Sequence, residues 1–476
     1  MNKPFLILIV FLFTGSIVIP QSSTLNQRIE NLLKDELFES SFIAVDIFNL
    51  DTQEYLYRKN QKMLMHPASN MKLFSSIAAL LYLGIDYQFL TSLYYDGEII
   101  NNTLHGNLYI EGGCDPEFRT ENLAVFIQNI KALKINSIQG NIYADLTFKD
   151  SLYWGAGWMW DDDPSTDAPY MSALNINGNA VDITLKGMNV GQPAEIILKP
   201  DTDYFLINNR TLTVLNNDEE DFFIDRNWFN RKNELVASGK ISFNRNVPSK
   251  PDRQLNVLYP ELYFLTLFKE SLIKNGISVS GILGTSSLPP INKYICSHLT
   301  ELKTVLINVN KNSNNLSAEM LLFALAEKHF GRPATTKKGI SIISDLIRLL
   351  GHLPDRYRIV DGSGVSHYNL VTAELITDLL KYIYFYEKNV YEILLQTLPI
   401  AGVDGTLGKR MTNSVAFNNV RAKTGTLSGV NALSGYAKAA NGNMITFSIL
   451  IQNHVNQSAK ARIIQDEICR IIAEYK

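Results

Sequence analysis

The stretch His66-Pro67-Ala68-Ser69-Asn70-Met71-Lys72-Leu73-Phe74 decides how the rest of the chain is read. It sets a serine and a lysine three positions apart, behind a proline and ahead of an apolar run. On an α-helix, residues i and i+3 share a face, so the Lys72 amine comes within hydrogen-bond reach of the Ser69 hydroxyl. Such a pair is a nucleophile with its base, provided that the lysine sheds its proton near neutral pH. Burial and a neighbouring cation both favour the neutral amine, so the pattern calls for a second lysine close by. The spacing alone is a weak signal. It recurs at Ser271-Leu272-Ile273-Lys274, where it ends an ordinary helix before Asn275-Gly276.

Two further stretches supply what the first lacks. Lys423-Thr424-Gly425-Thr426 is the only K-T-G in the chain and reads as a strand that carries a cation and hydroxyls to a sheet edge. Its glycine lets another backbone approach closely, while Lys423, Thr424 and Thr426 are suited to hold a carboxylate. Ser313-Asn314-Asn315 falls in a loop before a helical pattern over 316–330. S-x-N also occurs at Ser242-Phe243-Asn244, which reads as a strand and its turn. The order decides: S-x-x-K opening a helix, S-x-N between helices, K-T-G on a late strand.

This ordered set resembles that of penicillin-binding proteins and class A β-lactamases. Within that superfamily the chain is most similar to the D-alanyl-D-alanine carboxypeptidases of the peptidase S13 (class C, low-molecular-mass penicillin-binding protein) type. From Ser69 to Ser313 there are 244 positions, the interval in which that family carries inserted domains. Further family-like stretches are Gly112-Gly113-Cys114-Asp115-Pro116, Gly157-Trp158-Met159-Trp160-Asp161-Asp162, Ser172-Ala173-Leu174-Asn175, Asp361-Gly362-Ser363-Gly364-Val365-Ser366 and Ala401-Gly402-Val403-Asp404-Gly405-Thr406-Leu407. Two positions depart from the family pattern: His367 stands where an arginine often follows D-G-S-G, and Cys114 where glycine is usual.

The resemblance implies an α/β fold of the penicillin-binding/β-lactamase-like transpeptidase type. That fold is an antiparallel sheet flanked by helices, with a helical subdomain and here a mostly β inserted region. The chain divides accordingly into 1–23, a signal peptide; 24–86, the first part of the transpeptidase-like domain; 87–290, the insert, read as two subdomains; and 291–476, the second part.

The opening Met1-Asn2-Lys3 and the apolar run that follows from Phe5 fit a secretory signal, the rival reading being an uncleaved anchor. That places the mature protein across the inner membrane, in the periplasm or associated with the membrane. At 476 residues two or three domains are expected. A hydrophobic share of 46%, a charged share of 19% and a net charge of -3 describe a globular protein and exclude nucleic acid as an expected partner. Three cysteines without C-x-x-C spacing read as buried free thiols. Seven scattered histidines lack metal-ligand spacing, so neither metal nor other cofactor is expected. His66 reads as a packing residue.

Along the chain, 43–48 and 55–57 read as a β-hairpin in the same sheet as K-T-G. The run 69–83 has helical periodicity and so little charge that it belongs at the centre of a core, which would desolvate Lys72. Short alternating strands fill 87–290, with helices near 121–133 and 260–275. The aromatic and acidic piece 153–163, with Trp154, Trp158 and Trp160, reads either as a substrate contact, with an aspartate such as Asp161 meeting an amine, or as a packed interdomain loop. Helices are expected at 316–330, 338–350 and 372–386, then a three-stranded meander, then a final helix with Ile463, Ile464, Ile468, Ile471 and Ile472 on one stripe.

The mechanism expected from the set is acyl transfer through Ser69 with Lys72 as base, and a carboxylate bound by Lys423, Thr424 and Thr426. By family analogy Ser313 relays the proton to the leaving group and Asn315 orients Lys72. The function implied is a serine-type D-Ala-D-Ala carboxypeptidase or endopeptidase acting on peptidoglycan stem peptides and acylated by β-lactam antibiotics. A β-lactamase and a non-catalytic wall-binding protein are the alternatives, and oligomeric state is left open.

Overall fold

The structure, a computed structural model, describes residues 24–216 and 220–476. The stretch read as a signal peptide, 1–23, lies outside the described residues. A five-stranded antiparallel sheet frames the site: Arg421–Leu427, Val430–Lys438, Met444–Gln452, Phe42–Asn49 and Glu54–Lys59, in that spatial order. The first and last parts of the chain therefore meet side by side, as Phe42–Asn49 pairs along its length with Met444–Gln452. Turns at Gly429 (φ 71°) and Gly442 (φ 94°) join the three late strands.

Alternation along these strands loads both faces of the sheet. Ile43, Val45, Ile47, Phe447, Ile449 and Ile451 point to one side, into a cluster with the terminal helix Ser458–Ala473. Ala44, Phe48, Leu450, Ala432 and Tyr436 point to the other, against the central helix Met71–Tyr82 and the helix Ala373–Tyr386. The terminal helix buries Ile464, Ile468, Ile471 and Ile472, but Ile463 is exposed. The inward stripe is completed instead by Ala461, Gln465 and Cys469, which the helical period places on the buried arc.

Residues Met71 to Leu80 of the central helix are all buried, as a run with Lys72 as its one charged residue favours. Around it pack Leu302–Lys311, Asn315–Phe330 and Thr336–Leu349. The helix Ala373–Tyr386 starts at Thr372, whose hydroxyl accepts from the Leu375 amide.

Between these parts, residues 88–285 form short strands in four sheets around a second core that includes Phe118, Phe126, Phe264 and Phe268. Two helices, Leu123–Ala132 and Pro260–Lys274, belong to it. The strand Lys293–Glu301 pairs antiparallel with Gln88–Tyr95, closing the region where it opens. The second S-x-x-K ends the helix Pro260–Lys274, and Ser242 ends the strand Glu234–Ser242, so both decoy motifs are structural. Cys114, Cys296 and Cys469 are buried free thiols. Cys114 has φ 58°, a left-handed conformation that accounts for glycine being usual at its position. Among the described residues no helix is long and apolar enough to cross a membrane.

Candidate active site

Ser69 lies not in the central helix but in the 3-10 turn Ala68–Asn70 that leads into it. The turn is clamped to the sheet. Asn70 donates to the Ser434 hydroxyl (2.7 Å) and the His66 amide donates to Gln452 (3.1 Å). Strand Arg421–Leu427 comes so close that a Cβ on Gly425 would stand 2.9 Å from the Pro67 carbonyl oxygen and 3.0 Å from the Ser69 nitrogen. Only glycine at the third position of K-T-G admits the Ser69 turn to the strand edge.

The Lys72 side chain, fully buried, donates to Ser69 Oγ (2.9 Å), Asn315 Oδ1 (2.6 Å) and the Ser363 carbonyl oxygen (2.6 Å). Burial brings its pKa down to about 8, against the opposing fields of Asp361, Glu319 and Asp167. Lys423, equally buried, donates to Ser313 Oγ (2.9 Å) and to the Thr424 carbonyl oxygen (2.9 Å). Burial and then the charge on Lys72 hold it well below the ordinary lysine value. The two ammonium groups thus share one desolvated site, each on its own serine: Lys72 on Ser69, Lys423 on Ser313.

Ser313 is presented by the loop between the helices Leu302–Lys311 and Asn315–Phe330, with φ 59°. Two contacts shape that loop: Asn314 caps the second helix by accepting from the Ser317 amide (2.8 Å), and Lys311 pairs with Asp404. Asn315 also donates to the Asp167 carbonyl oxygen (2.6 Å), tying the S-x-N motif to the inserted region.

Strand Arg421–Leu427 is the sheet edge. The Ala422 amide donates outward to the Pro399 carbonyl oxygen (3.1 Å), and a strand repeats every two residues, so the Thr424 and Thr426 amides point to the same open side. The Thr424 hydroxyl donates to that of Thr406 (2.7 Å), and Asn431, itself bonded to His454 (2.8 Å), reaches the Thr426 hydroxyl (3.4 Å). Ser69, Ser313, Asn315, Thr424, Gly425 and Thr426 line a single cleft of about 510 Å³.

Behind Lys72 lies an acidic scaffold that the motifs alone do not reveal. Glu319, pushed up to about 7 by burial and by Asp361, accepts from the amides of Gly362 and Ser363 (3.0 and 2.8 Å). Asp361 accepts from the Gly364 and Ser366 amides, from Asn369 and from the Trp158 indole. The signal was present: Glu319 is the one charged residue between Asn315 and Ala326, four residues past Asn315 and hence on the same helix face. Ser363 itself is fully buried and contributes its carbonyl oxygen to Lys72. Gly364, at φ 83°, packs so that a Cβ would stand 1.9 Å from the Ala68 carbonyl oxygen. Gly364→Ala is expected to cost at least about 2 kcal/mol of stability and to displace the nucleophile turn, measured as a lowered unfolding midpoint with slowed acylation.

From the inserted region, Met159, Asp162 and Asp167 line the cleft, and Asp161 does not. Thr406 lines it too, as does His367, whose ring meets that of His66 edge-on at 5.5 Å.

Two Ser–Lys pairs thus stand at one cleft beside an open strand edge, and the sequence matches the D-Ala-D-Ala carboxypeptidase 3 (S13) family over residues 25–475. The chain belongs to that family. It is 31% identical over 469 residues to a D-alanyl-D-alanine carboxypeptidase of Actinomadura sp. (strain R39), covering 95% of this chain and 85% of the relative. A D-alanyl-D-alanine carboxypeptidase of Haemophilus influenzae is 26% identical over 93% of this chain and 91% of its own length. The crystal structure of penicillin binding protein 4 from Haemophilus influenzae superposes with a TM-score of 0.79 at 26% identity, covering 92% of this chain and 97% of that one. The same protein complexed with a β-lactam gives a TM-score of 0.74 at 25% identity, covering 93% and 98%. An S13 carboxypeptidase is a hydrolase and a penicillin-binding protein, which is the enzyme class the motif order implied.

Proposed function

We propose that this S13 enzyme cleaves the terminal peptide bond of peptidoglycan stem peptides ending in D-Ala-D-Ala, through an acyl-enzyme on Ser69. The observation that carries this reading is the hydrogen bond from a buried Lys72 to Ser69 at a cleft also lined by Ser313, which accepts from the buried Lys423.

The free carboxylate of the substrate is drawn to Lys423 and accepts from the Thr424 and Thr426 hydroxyls, which fixes the preceding carbonyl over Ser69. Ser69 attacks as Lys72 takes its proton. The oxyanion is met by the backbone amides of Ser69 and Thr426, the latter on the open side of the edge strand. Ser313, bonded to Lys423, relays the proton that Lys72 took from Ser69 to the nitrogen of the leaving D-alanine as the peptide C–N bond breaks, while Asn315 keeps Lys72 aligned. Water then releases the shortened peptide. A β-lactam presents the same carboxylate and acylates the same hydroxyl, in keeping with the β-lactam complex of the Haemophilus relative. The segments 24–86 and 291–476 carry the chemistry, and 87–290 bounds the approach. The substrate is extracytoplasmic, which fits the apolar leader read as an export signal and a periplasmic location.

D-alanine release from a pentapeptide ending in D-Ala-D-Ala tests the reading; no release at micromolar enzyme would refute it. Digestion of cross-linked muropeptides reports the endopeptidase share as conversion of dimers to monomers.

Lys72 works as base only without its proton, and burial sets its value at about 8 rather than 10.5. The neutral fraction therefore grows as pH rises through about 8 and shrinks below it. The second-order rate of acylation by penicillin is expected to rise along one limb centred near pH 8. A rate that is flat or falling from pH 6 to 9 would contradict the assignment of the base.

A further inference from the structure

A second concave site, also of about 510 Å³, opens beside the catalytic cleft, and its walls are aromatic: Trp154, Trp158, Trp160, Tyr170, Trp228 and Phe229. The 3-10 turn Trp160–Asp162 is shared, since Asp162 faces the catalytic cleft and Trp160 the aromatic one. Trp160 is 68% exposed and Phe229 75%. Rings of this size so open to water are costly to leave uncovered, and their clustering marks a binding surface rather than incomplete packing.

The rings brace one another, and their loops are tied down. Trp160 and Trp228 lie 5.2 Å apart between centroids, inclined at 41°, and Trp160 meets Phe229 edge-on at 6.3 Å. The loop that carries Trp228 and Phe229 is anchored by Arg226, fully buried, which pairs with Asp163 and donates to Asn256 (2.9 Å). Asp163 in turn accepts from the Tyr170 hydroxyl (2.9 Å). One buried ion pair thus fixes both the Trp160 segment and the Trp228 loop, and its carboxylate is consumed by those bonds. Polar groups at the rim are Ser151, Arg231 and the phenol of Tyr259. Arg231 (φ 50°) and Tyr259 (φ 54°) are both held in left-handed backbone conformations, a strain tolerated where a side chain must be aimed.

We propose that this cleft binds the glycan strand of peptidoglycan, an inference that rests on the stem-peptide reading of the neighbouring site. An N-acetylated pyranose has an apolar face of C–H groups that stacks on an aromatic ring, and a rim of hydroxyls and amides that needs donors and acceptors. The cleft offers inclined rings for the first and Arg231, Ser151 and Tyr259 for the second. The inclined, concave walls suit a rigid sugar better than a flat protein face or a lipid surface. Continuity supplies the occupant: a stem peptide in the catalytic cleft is covalently joined to a sugar, which must lie close outside it, and the wall at 160–162 separates the two sites.

The test uses the full chain and a peptide-free probe, tri-N-acetylchitotriose. Saturable quenching or shift of tryptophan fluorescence is expected, weakened at least tenfold in Phe229→Ala and abolished in the Trp160→Ala/Phe229→Ala double variant, with maltotriose inert. Phe229→Ala should cleave free pentapeptide as the parent does, but lose about tenfold in kcat/KM, through KM, on pentapeptide still attached to its disaccharide. Because the sugar titration needs no turnover, it also reports on Ser69→Ala protein and so fails or succeeds independently of the catalytic reading. The proposal is overturned by absence of saturable chitotriose binding, by equal losses on free and glycan-linked peptide, by a dimer that Phe229→Ala dissociates in sedimentation, or by lipid vesicles competing for the same tryptophans.

Discussion

Replacing Ser69 by alanine is expected to abolish the covalent adduct with labelled penicillin and to reduce D-alanine release by about 10⁶-fold, to assay background. The hydroxyl accepts from Lys72, and the side chain is half-buried, so its loss leaves the core intact. The unfolding midpoint should therefore stay where it is. Mass spectrometry of the penicillin-treated variant is the decisive measurement. An adduct that persists, on Ser313, Ser363 or elsewhere, would show that the nucleophile has been misassigned.

Lys72→Ala is expected to slow acylation by about 10²–10⁴-fold, or ~3–5 kcal/mol of barrier, the range for loss of a positioned general base. Alanine also strands Asn315 Oδ1 and the Ser363 carbonyl oxygen, both of which Lys72 satisfies at 2.6 Å, so some destabilisation accompanies the kinetic loss. Lys72→Arg separates the two effects. Arginine can keep the charge and some of those bonds but does not release a proton in this pH range, so it should fold better than the alanine variant and acylate no faster. Stopped-flow acylation beside a thermal scan makes the comparison. An arginine variant that acylates near the parent rate would mean that Lys72 acts through its charge and that another group takes the Ser69 proton.

Lys423 sits on Ser313 rather than on Ser69, so the second lysine that the S-x-x-K pattern calls for forms a serine–lysine pair of its own. The physical reason is the strand: side chains at 423 and 425 share a face, and Gly425 rather than Lys423 is the residue pressed against the Ser69 turn.

Much of the fold was legible because its signals are local. The buried central helix follows from a run in which Lys72 is the one charged residue, the hairpin and meander from alternation and glycine turns, and the Thr372 cap from its place before an apolar period. Where the period was read one residue too wide, at Ile463, the apolar side chain faces water. The helices Leu25–Leu32 and Lys388–Thr397 carry sequences mixed enough that packing, rather than propensity, decides them.

By itself the sequence determined which side chains could do the chemistry: the spacing of Ser69 and Lys72 depends on a single turn of backbone, and K-T-G on a single strand, so each is fixed by neighbours a few residues away. Tertiary structure alone decided how they are charged and supported. The descent of Lys72 to about 8 is a product of burial that comes from several helices at once. The cradle of Glu319 and Asp361, the anchoring of Asn315 to Asp167, and the choice of Asp162 over Asp161 at the cleft depend on contacts between residues from about 40 to 150 positions apart. Short-range spacing is written in the order of residues. Desolvation and long-range contact exist only once the chain has closed on itself.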